Sequence, residues 1–350
     1  MKEGYFLKKR LDWLDVGKGL GIILVMLGHT TIPAPLKTYI YTFHMPLFFF
    51  LSGYLYKPEK FASFTAFLAK RTKSLLIPYF CFSLAAYVWF LFTFRLGLVT
   101  YDQSLLKPLI GSVIAKRHTD WTVHTGPLWF ITCLFITELL FYLLSKHLRT
   151  KKSIGTALTI LALLGCAYNK LNGEPLPWGI DIALISVGFY GAGFWYKEYH
   201  EKLDRLISWK TFTAFLALNI GAGYWNYLYS GERVDFYFSQ LGNISLFYLS
   251  AFSGIGAYLV LIKRINRNGI LQFIGGNSLI YLALHQKFVY LLFDQVTGKF
   301  DLGKILKLPM LDGLLYTLIT AFILVPVVMM INHYFPFMLG KKRRRAVSGW

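Results

Sequence analysis

The sequence predicts an all-α integral membrane protein, a bundle of about ten transmembrane helices with both termini in the cytoplasm. Three observations predict this fold class. Of the 350 residues, 55% are hydrophobic and only 15% are charged, which is far from the balance of a soluble domain. Apolar runs of about 20 residues, long enough to cross a hydrocarbon core, recur along the chain. The loops between these runs alternate between rich and poor in lysine and arginine.

Ten segments have the length and apolar character of a membrane-spanning helix. They lie at 14–32, 39–56, 74–97, 127–145, 154–170, 180–196, 211–229, 242–262, 275–293 and 313–334. The connections between them are too short to hold an independent folded unit. We therefore expect residues 1–350 to form a single membrane domain with no appended soluble domain, so that any chemistry is built from the helices and their loops.

The formal net charge is +20, and the distribution of the basic residues indicates a membrane topology and not a nucleic-acid-binding surface. With ten spans, 25 of the 37 lysine and arginine residues lie on the side that holds both termini. This side includes the N-terminal segment 1–13 and the basic tail 340–350. The positive-inside rule assigns it to the cytoplasm of a multi-pass protein in the cell membrane, plasma or inner. Anionic membrane lipids are the expected partners of these charges, and nucleic acid is not expected to bind.

The cysteines and histidines do not predict a metal site. The three cysteines, Cys81, Cys133 and Cys166, each lie inside an apolar run, with no Cys-x-x-Cys or Cys/His spacing nearby. They are expected to be small core residues, and no metal cofactor is expected.

The first span carries two polar groups in the stretch KGLGIILVMLGH, which begins at Lys18 and ends at His29. Eleven residues of α-helix turn about 20° past three full turns, so both side chains lie on one face, about 16 Å apart. Lys18 could be a structural residue that pairs with Asp15 or extends to the interface. His29 could be a packing histidine, although an imidazole in this position is also a candidate general base.

Further polar residues flank the neighbouring spans. His44 lies near the start of the second span, close to the same short loop as His29, and it is a candidate partner or orienting group for that base. Lys70, Arg71 and Lys73 precede the third span, where a cluster of cations suits the phosphates of a cofactor. The same cations could instead be topology determinants that meet anionic lipid headgroups.

Four residues within later spans are candidates for supporting roles. Glu138 is costly in lipid, so it is expected to face the bundle, where it either pairs with a cation or supports the site. Trp129 could line the path of a substrate or belong to an interfacial aromatic belt. Asn277 and His285 belong to a polar strip of the ninth span, and hydrogen bonding between helices is the alternative role for both.

Five motifs occur in order along nearly the whole chain. They are WLDVGKGLGIILVMLGH, FHMPLFFFLSGYL, KRTKSLLIPY, GPLWFITCLF and IGGNSLIYLALH. In this order they resemble the acyltransferase-3 family of membrane proteins, and they are most similar to its sugar O-acetyltransferases of the fucose 4-O-acetylase type. The resemblance implies a ten-helix bundle that transfers an acyl group, usually acetyl, from cytoplasmic acetyl-CoA to a carbohydrate hydroxyl at the outer face.

The resemblance also implies roles for individual residues. The family's basic-x10-His motif falls on Lys18 and His29, which makes His29 the essential catalytic histidine and Lys18 a donor-binding residue. The family's basic pair, commonly Arg-x-x-Arg, corresponds here to Lys70 and Lys73, with Arg71 between them. The acceptor would be an exopolysaccharide, a cell-wall glycan or a lipid-linked sugar, and polysaccharide-assembly proteins could be partners.

Two expectations remain open at this point. Gly17, Gly21 and Gly28 form a strip of small residues on the first span, where either a neighbouring helix could pack closely or the donor's pantetheine arm could run. The alternative function is a glycan or lipid-linked sugar transporter or flippase, in which the same polar residues line a conduit and no covalent chemistry occurs.

Overall fold

The computed structural model describes residues 11–171, 173–300 and 308–341, and this part of the chain is helical apart from turns and one isolated bridge, between Asp235 and Gln240. The α-helices are α1 (Asp12–Gly28), α2 (Ala34–Leu55), α3 (Phe64–Arg71), α4 (Ile77–Arg95), α5 (Leu106–Ile114), α6 (Trp129–His147), α7 (Lys151–Leu171), α8 (Ile180–Leu203), α9 (Trp209–Ser230), α10 (Ile244–Ile265), α11 (Gly269–Gly276), α12 (Ser278–Leu284), α13 (Leu291–Phe300) and α14 (Pro309–Tyr334). The predicted all-α class is thus confirmed. Most of the two terminal segments that we expect in the cytoplasm lies outside the described residues.

Each of the ten predicted spans coincides with a helix or with a chain of consecutive helices. Six helical stretches within the described residues are long and apolar enough to cross a membrane. They are Phe64–Arg95, Gly126–His147, Lys151–Leu171, Pro177–Leu206, Ile244–Ile265 and Pro309–Tyr334. The other four predicted spans are helical but are shorter, more polar or interrupted, so a total of ten spans stays a prediction.

Polar side chains begin several helices where the sequence leaves the apolar pattern. Ser208 and Thr211 form a capping box at the start of α9. The Asn243 side chain accepts hydrogen bonds from two backbone N–H groups at the start of α10, and Asn268 caps α11 in the same way. These caps satisfy donors that a helix leaves unpaired at its first turn, and so they fix where each helix begins.

Helix α1 lies inside the bundle and packs against α2, α10, α11, α12 and α14. Its contact with α11 is close because glycines meet backbone carbonyls: Gly19 faces the Leu271 carbonyl, and Gly275 faces the Asp15 carbonyl. A Cβ atom at either glycine would overlap that carbonyl, so both positions need glycine. The tyrosine Tyr258 also donates a 2.7 Å hydrogen bond to a carbonyl in the middle of α1.

Neighbouring helices, not an open groove for a ligand, occupy the glycine strip of α1. A Cβ atom at Gly17 would lie 2.9 Å from the Ile262 side chain, and one at Gly21 would lie 3.1 Å from the Phe48 ring. At Gly28 the same atom would lie 3.0 Å from a tyrosine ring of α2. Neighbouring helices therefore cover this strip, as small residues at helix contacts allow.

Two segments of π-helix interrupt the α-helical pattern, Thr72–Leu76 between α3 and α4 and His285–Tyr290 between α12 and α13. The ninth predicted span is therefore not one continuous α-helix. It contains the second π-helical segment, and it also breaks at Asn277, between α11 and α12. π-helical turns are rare and occur often at functional sites. In this protein the first π-helical segment directly follows Arg71, and the second begins at His285. Both residues are site candidates from the sequence.

Candidate active site

His29 lies at the C-terminal end of α1, and its imidazole contacts a second imidazole. Its Nδ1 is 3.0 Å from Nε2 of His285, the first residue of the second π-helical segment. The two residues are 256 positions apart in the sequence. Tyr290, at the end of that segment, donates a 3.0 Å hydrogen bond to the Met26 carbonyl of α1, which ties the segment to the helix that carries His29.

The hydrogen bonds assign a proton to each ring of this pair. His285 Nδ1 is 2.9 Å from the Tyr281 carbonyl and 3.1 Å from the Leu282 carbonyl, and a carbonyl oxygen can only accept. In the neutral ring, His285 Nδ1 therefore carries the hydrogen and Nε2 accepts. His29 Nδ1 must then donate to His285 Nε2. This leaves His29 Nε2 with a free lone pair, the arrangement of an oriented general base.

Two cavities meet at His29. One is an open cavity of about 740 Å³ beyond the end of α1, lined also by Trp89, Tyr101, His124 and Lys287. The other is a small chamber of about 40 Å³. A buried water needs about 10–15 Å³ of such volume, so the chamber has room for only a few water-sized groups. His29 thus lines both a large cavity and a small one.

A third cavity, of about 360 Å³, lies along the other half of α1. It begins beside Lys18 and Ser74 and extends to Val25, Met45 and Leu282. Those last three side chains also line the small chamber. One layer of apolar side chains therefore separates this third cavity from the chamber at His29. The cavity follows the face of α1 that carries Lys18 and His29, not the glycine strip.

The structure places His44 and Trp129 at the small chamber, where both line its wall with His29. His44 Nδ1 is 2.9 Å from the carbonyl of Ile40, and no hydrogen bond joins it to His29 among the described residues. His285 has the orienting position that the sequence suggested for His44. Trp129 is only 9% exposed, so it belongs to the bundle interior and not to an interfacial belt.

The predicted cation cluster divides into different environments. Arg71 Nε lies 2.8 Å from Oε2 of the buried Glu138, an ion pair within the bundle. Lys70 is exposed, with its ammonium 5.0 Å from the centre of the Phe61 ring, and Lys73 is also exposed. The Arg71 charge is therefore matched by Glu138, whereas the two lysines face outward.

Lys18 and Asn277 lie toward the other end of α1 from His29. The Lys18 ammonium is 4.0 Å from the Asp15 carboxylate one turn earlier, so the predicted pairing is confirmed. Asn277 donates to the Phe273 carbonyl and accepts a 2.8 Å hydrogen bond from Asn332 of α14. Asn277 therefore joins helices, the alternative role given for it above, and it does not contact the histidine pair.

Several polar contacts of the loops that precede α6 and α10 have no signal in the sequence pattern. Arg117 and Asp181 are both fully buried and form a two-point ion pair, with N–O distances of 2.8 and 2.5 Å. Arg117 also donates to the backbone carbonyls of Phe236 and Tyr237, and Tyr237 lines the small chamber. This pair anchors the loop that closes the chamber. Its members are 64 positions apart, so local spacing could not reveal it.

No group of three or more histidine, cysteine or acidic side chains within metal-binding reach occurs among the described residues. Cys81, Cys133 and Cys166 are free thiols, and the last two are buried. The expectation that the cysteines are core residues is confirmed for Cys133 and Cys166, which belong to the main hydrophobic cluster.

Comparisons with known proteins identify the family of this chain. Searches of curated proteins and of solved structures found no match. A model of the family described as an acyltransferase domain matches residues 11–333, nearly the whole chain. Together with the six apolar helices, this match shows a multi-pass membrane acyltransferase. The chain belongs to the acyltransferase-3 family.

Proposed function

We propose that this acyltransferase moves an acetyl group from cytoplasmic acetyl-CoA to a hydroxyl of a cell-surface or exported carbohydrate, and that His29 is the catalytic base. The observation that carries the proposal is the 3.0 Å contact between His29 and His285 at the junction of two cavities. A histidine oriented by a second group, with one nitrogen free, has the geometry that proton abstraction from a hydroxyl requires.

The reaction has one acyl transfer and two proton movements. His29 Nε2 removes the proton of the acceptor hydroxyl as its oxygen attacks the thioester carbonyl carbon. The carbon–sulfur bond then breaks, and the protonated His29 returns its proton to the thiolate, so that an O-acetyl ester and free CoA leave. His285 accepts the Nδ1 hydrogen bond throughout and favours the imidazolium that forms.

The donor and acceptor approach from opposite ends of α1. The cavity from Lys18 to Leu282 would hold the pantetheine arm, with Lys70 and Lys73 near the CoA phosphates at its mouth. Arg71 would act through its ion pair with Glu138, which anchors the π-helical segment that carries Lys73. The small chamber, about 40 Å³, suits a short acyl group such as acetyl.

The cavities favour a transferase over a flippase. A sugar that crossed the bundle along α1 would have to pass the chamber of about 40 Å³ and the layer of Val25, Met45 and Leu282. The chamber is far smaller than a sugar ring. An acyl group attached to a thin pantetheine arm needs only the narrow passage, whereas the acceptor can remain in the open cavity.

The experiment uses purified protein with radiolabelled acetyl-CoA and a panel of methyl hexosides. We expect label transfer by the wild type and a loss of about 10²–10⁴-fold in His29→Ala, the usual contribution of a general base. His147→Ala is the matched control, because His147 is exposed at the end of α6 and should retain wild-type activity. Label transfer that persists in His29→Ala would exclude the proposed mechanism.

A further inference from the structure

A second buried histidine lines the open cavity beyond α1. His124 lies in the loop before α6, is only 2% exposed and forms part of the wall of the 740 Å³ cavity that His29 also lines. Its Nε2 is 2.9 Å from the hydroxyl oxygen of Ser112, a buried residue of α5. Its other nitrogen, Nδ1, is buried and has no hydrogen-bond partner among the described residues.

The surroundings of His124 hold its ring in place. The rings of Tyr87 and Phe90 in α4 lie 5.8 and 6.4 Å from the imidazole, centre to centre. Burial, with a smaller effect of the Lys287 ammonium, lowers the pKa of His124 to about 4, so the ring is neutral at pH 7. A neutral imidazole has one donor and one acceptor nitrogen. Nδ1 therefore offers a single donor or acceptor position, whichever tautomer Ser112 selects.

An unpartnered polar atom in a protein interior needs an explanation, since burial without a hydrogen bond is unfavourable. Ser112, which holds Nε2 by a hydrogen bond, does not line the cavity, whereas His124 does. We infer that Nδ1 is the polar atom His124 presents to a ligand in the cavity. A hydroxyl fits Nδ1 in either tautomer, because a hydroxyl both donates and accepts.

The rest of the cavity wall suits a polyhydroxylated ring. The Trp89 ring is held by a stacked contact with Phe288, at 5.5 Å and 24°, and its indole N–H donates to the Lys287 carbonyl. A fixed indole in the wall gives an apolar surface for the C–H face of a sugar. Hydroxyl, amide and charged groups complete the wall, including Thr100, Tyr101, Gln286, Lys287 and Asp312.

We propose that the open cavity is the acceptor site, and that His124 Nδ1 binds a second hydroxyl of the acceptor while the reacting hydroxyl faces His29. This inference rests on the proposed function, since it assumes that His29 acts on an acceptor in this cavity. It narrows the substrate class to compounds with two or more hydroxyls on one ring. A simple alcohol would lack the group that His124 binds and would be a poor acceptor.

The test compares two substitutions of similar size at His124. In His124→Gln the side-chain amide can reach Ser112, as Nε2 does, but no polar atom replaces Nδ1. In His124→Asn the shorter amide stands near the position of Nδ1. We expect the acceptor KM of His124→Gln to rise about 5- to 150-fold, the effect of losing a buried hydrogen bond, with a smaller rise in His124→Asn. The KM for acetyl-CoA should change by less than about twofold in both, because the donor lies on the other side of His29.

The acceptor probes are methyl hexosides and the monohydric cyclohexylmethanol. Wild type should prefer the hexosides, and His124→Gln should lose most of this preference. An unchanged acceptor KM in His124→Gln would overturn the inference, as would a wild type that acylates cyclohexylmethanol as well as the hexosides. Failure of the proposed function gives a different result, namely no acyl transfer by the wild type to any probe or full activity in His29→Ala.

Discussion

Replacement of His285 tests whether a neighbouring imidazole holds His29 as a base. His285→Gln keeps an amide oxygen near the position of Nε2, where it can still accept the hydrogen of His29 Nδ1. His285→Asn is shorter and leaves His29 Nδ1 without that acceptor. His285→Asn can keep the donor near Nδ1 that bonds the Tyr281 carbonyl, whereas His285→Gln keeps the acceptor near Nε2, so the comparison separates the two hydrogen bonds of His285.

The expected magnitude follows from the 3.0 Å contact between the two rings. A neutral hydrogen bond contributes about 0.5–1.5 kcal/mol, and a buried partner left unpaired costs about 1–3 kcal/mol. If the lost energy acts on the transition state, kcat falls about 5- to 150-fold in His285→Asn. His29 would also be free to carry its hydrogen on Nε2, where it could not accept a proton.

The assay is steady-state acetyl transfer in which each substrate is varied while the other is saturating, so that kcat and both KM values are measured. We expect His285→Gln to keep most of the wild-type kcat, and the KM for acetyl-CoA to stay nearly constant in both variants. Equal kcat values in wild type and His285→Asn would refute the argument, because His29 would then need no orienting partner. Thermal unfolding of each variant shows whether a lower kcat reflects loss of folded protein.

Three further predictions concern the proposed donor site, the buried pair of Arg117 and Asp181, and pH. The double variant Lys70→Ala/Lys73→Ala should raise the KM for acetyl-CoA by about 3- to 30-fold and weaken its dependence on salt, since each exposed ion pair is worth up to about 1 kcal/mol. Arg117→Met leaves the buried Asp181 without its cation, and we expect a loss of about 3–5 kcal/mol in the free energy of unfolding, most of it recovered in Arg117→Met/Asp181→Leu. The pKa of His124 is lowered by burial to about 4, so below the unfolded value of about 6.5 the unfolded chain binds a proton first and stability falls as pH falls. We expect wild type to lose about 2 kcal/mol more than His124→Asn between pH 7 and pH 5, measured by unfolding in detergent.

Each of these predictions has an outcome that contradicts it. An unchanged KM for acetyl-CoA in the lysine variant would assign those charges to lipid headgroups. A double variant at Arg117 and Asp181 no more stable than Arg117→Met would show that the pair does not act through an unmatched buried charge. Equal pH dependence in wild type and His124→Asn would mean that His124 titrates near its ordinary pKa in the folded chain.

The candidate site was only partly predictable from the sequence. His29 could be singled out because an imidazole at the end of an apolar helix is costly, and His285 was a candidate for support. Their contact could not be predicted, because it joins two helices 256 positions apart. The nearby His44 was the expected partner, since both flank one short loop. In the structure, however, His44 Nδ1 is within hydrogen-bonding distance of the Ile40 carbonyl of its own helix.

Local periodicity along α1 also could not decide which of its faces lines a cavity. The helical arithmetic put Lys18 and His29 on one face, and that face does line the cavities. The glycine strip beside it could admit a ligand or a helix, and in the structure Ile262 and Phe48 pack over it. Small residues allow close approach by a ligand or by a helix, and only the packing decides which one is present.

The sequence by itself determined the helical class, the position of most helices and the membrane character, because these depend on apolar length and composition within each segment. It also determined family membership, through motifs that lie within single segments. The tertiary structure decided which polar groups meet: His29 with His285, Arg71 with Glu138, and Ser112 with His124. These contacts depend on how helices pack and where π-helical turns rotate their side chains, and no single segment carries that information.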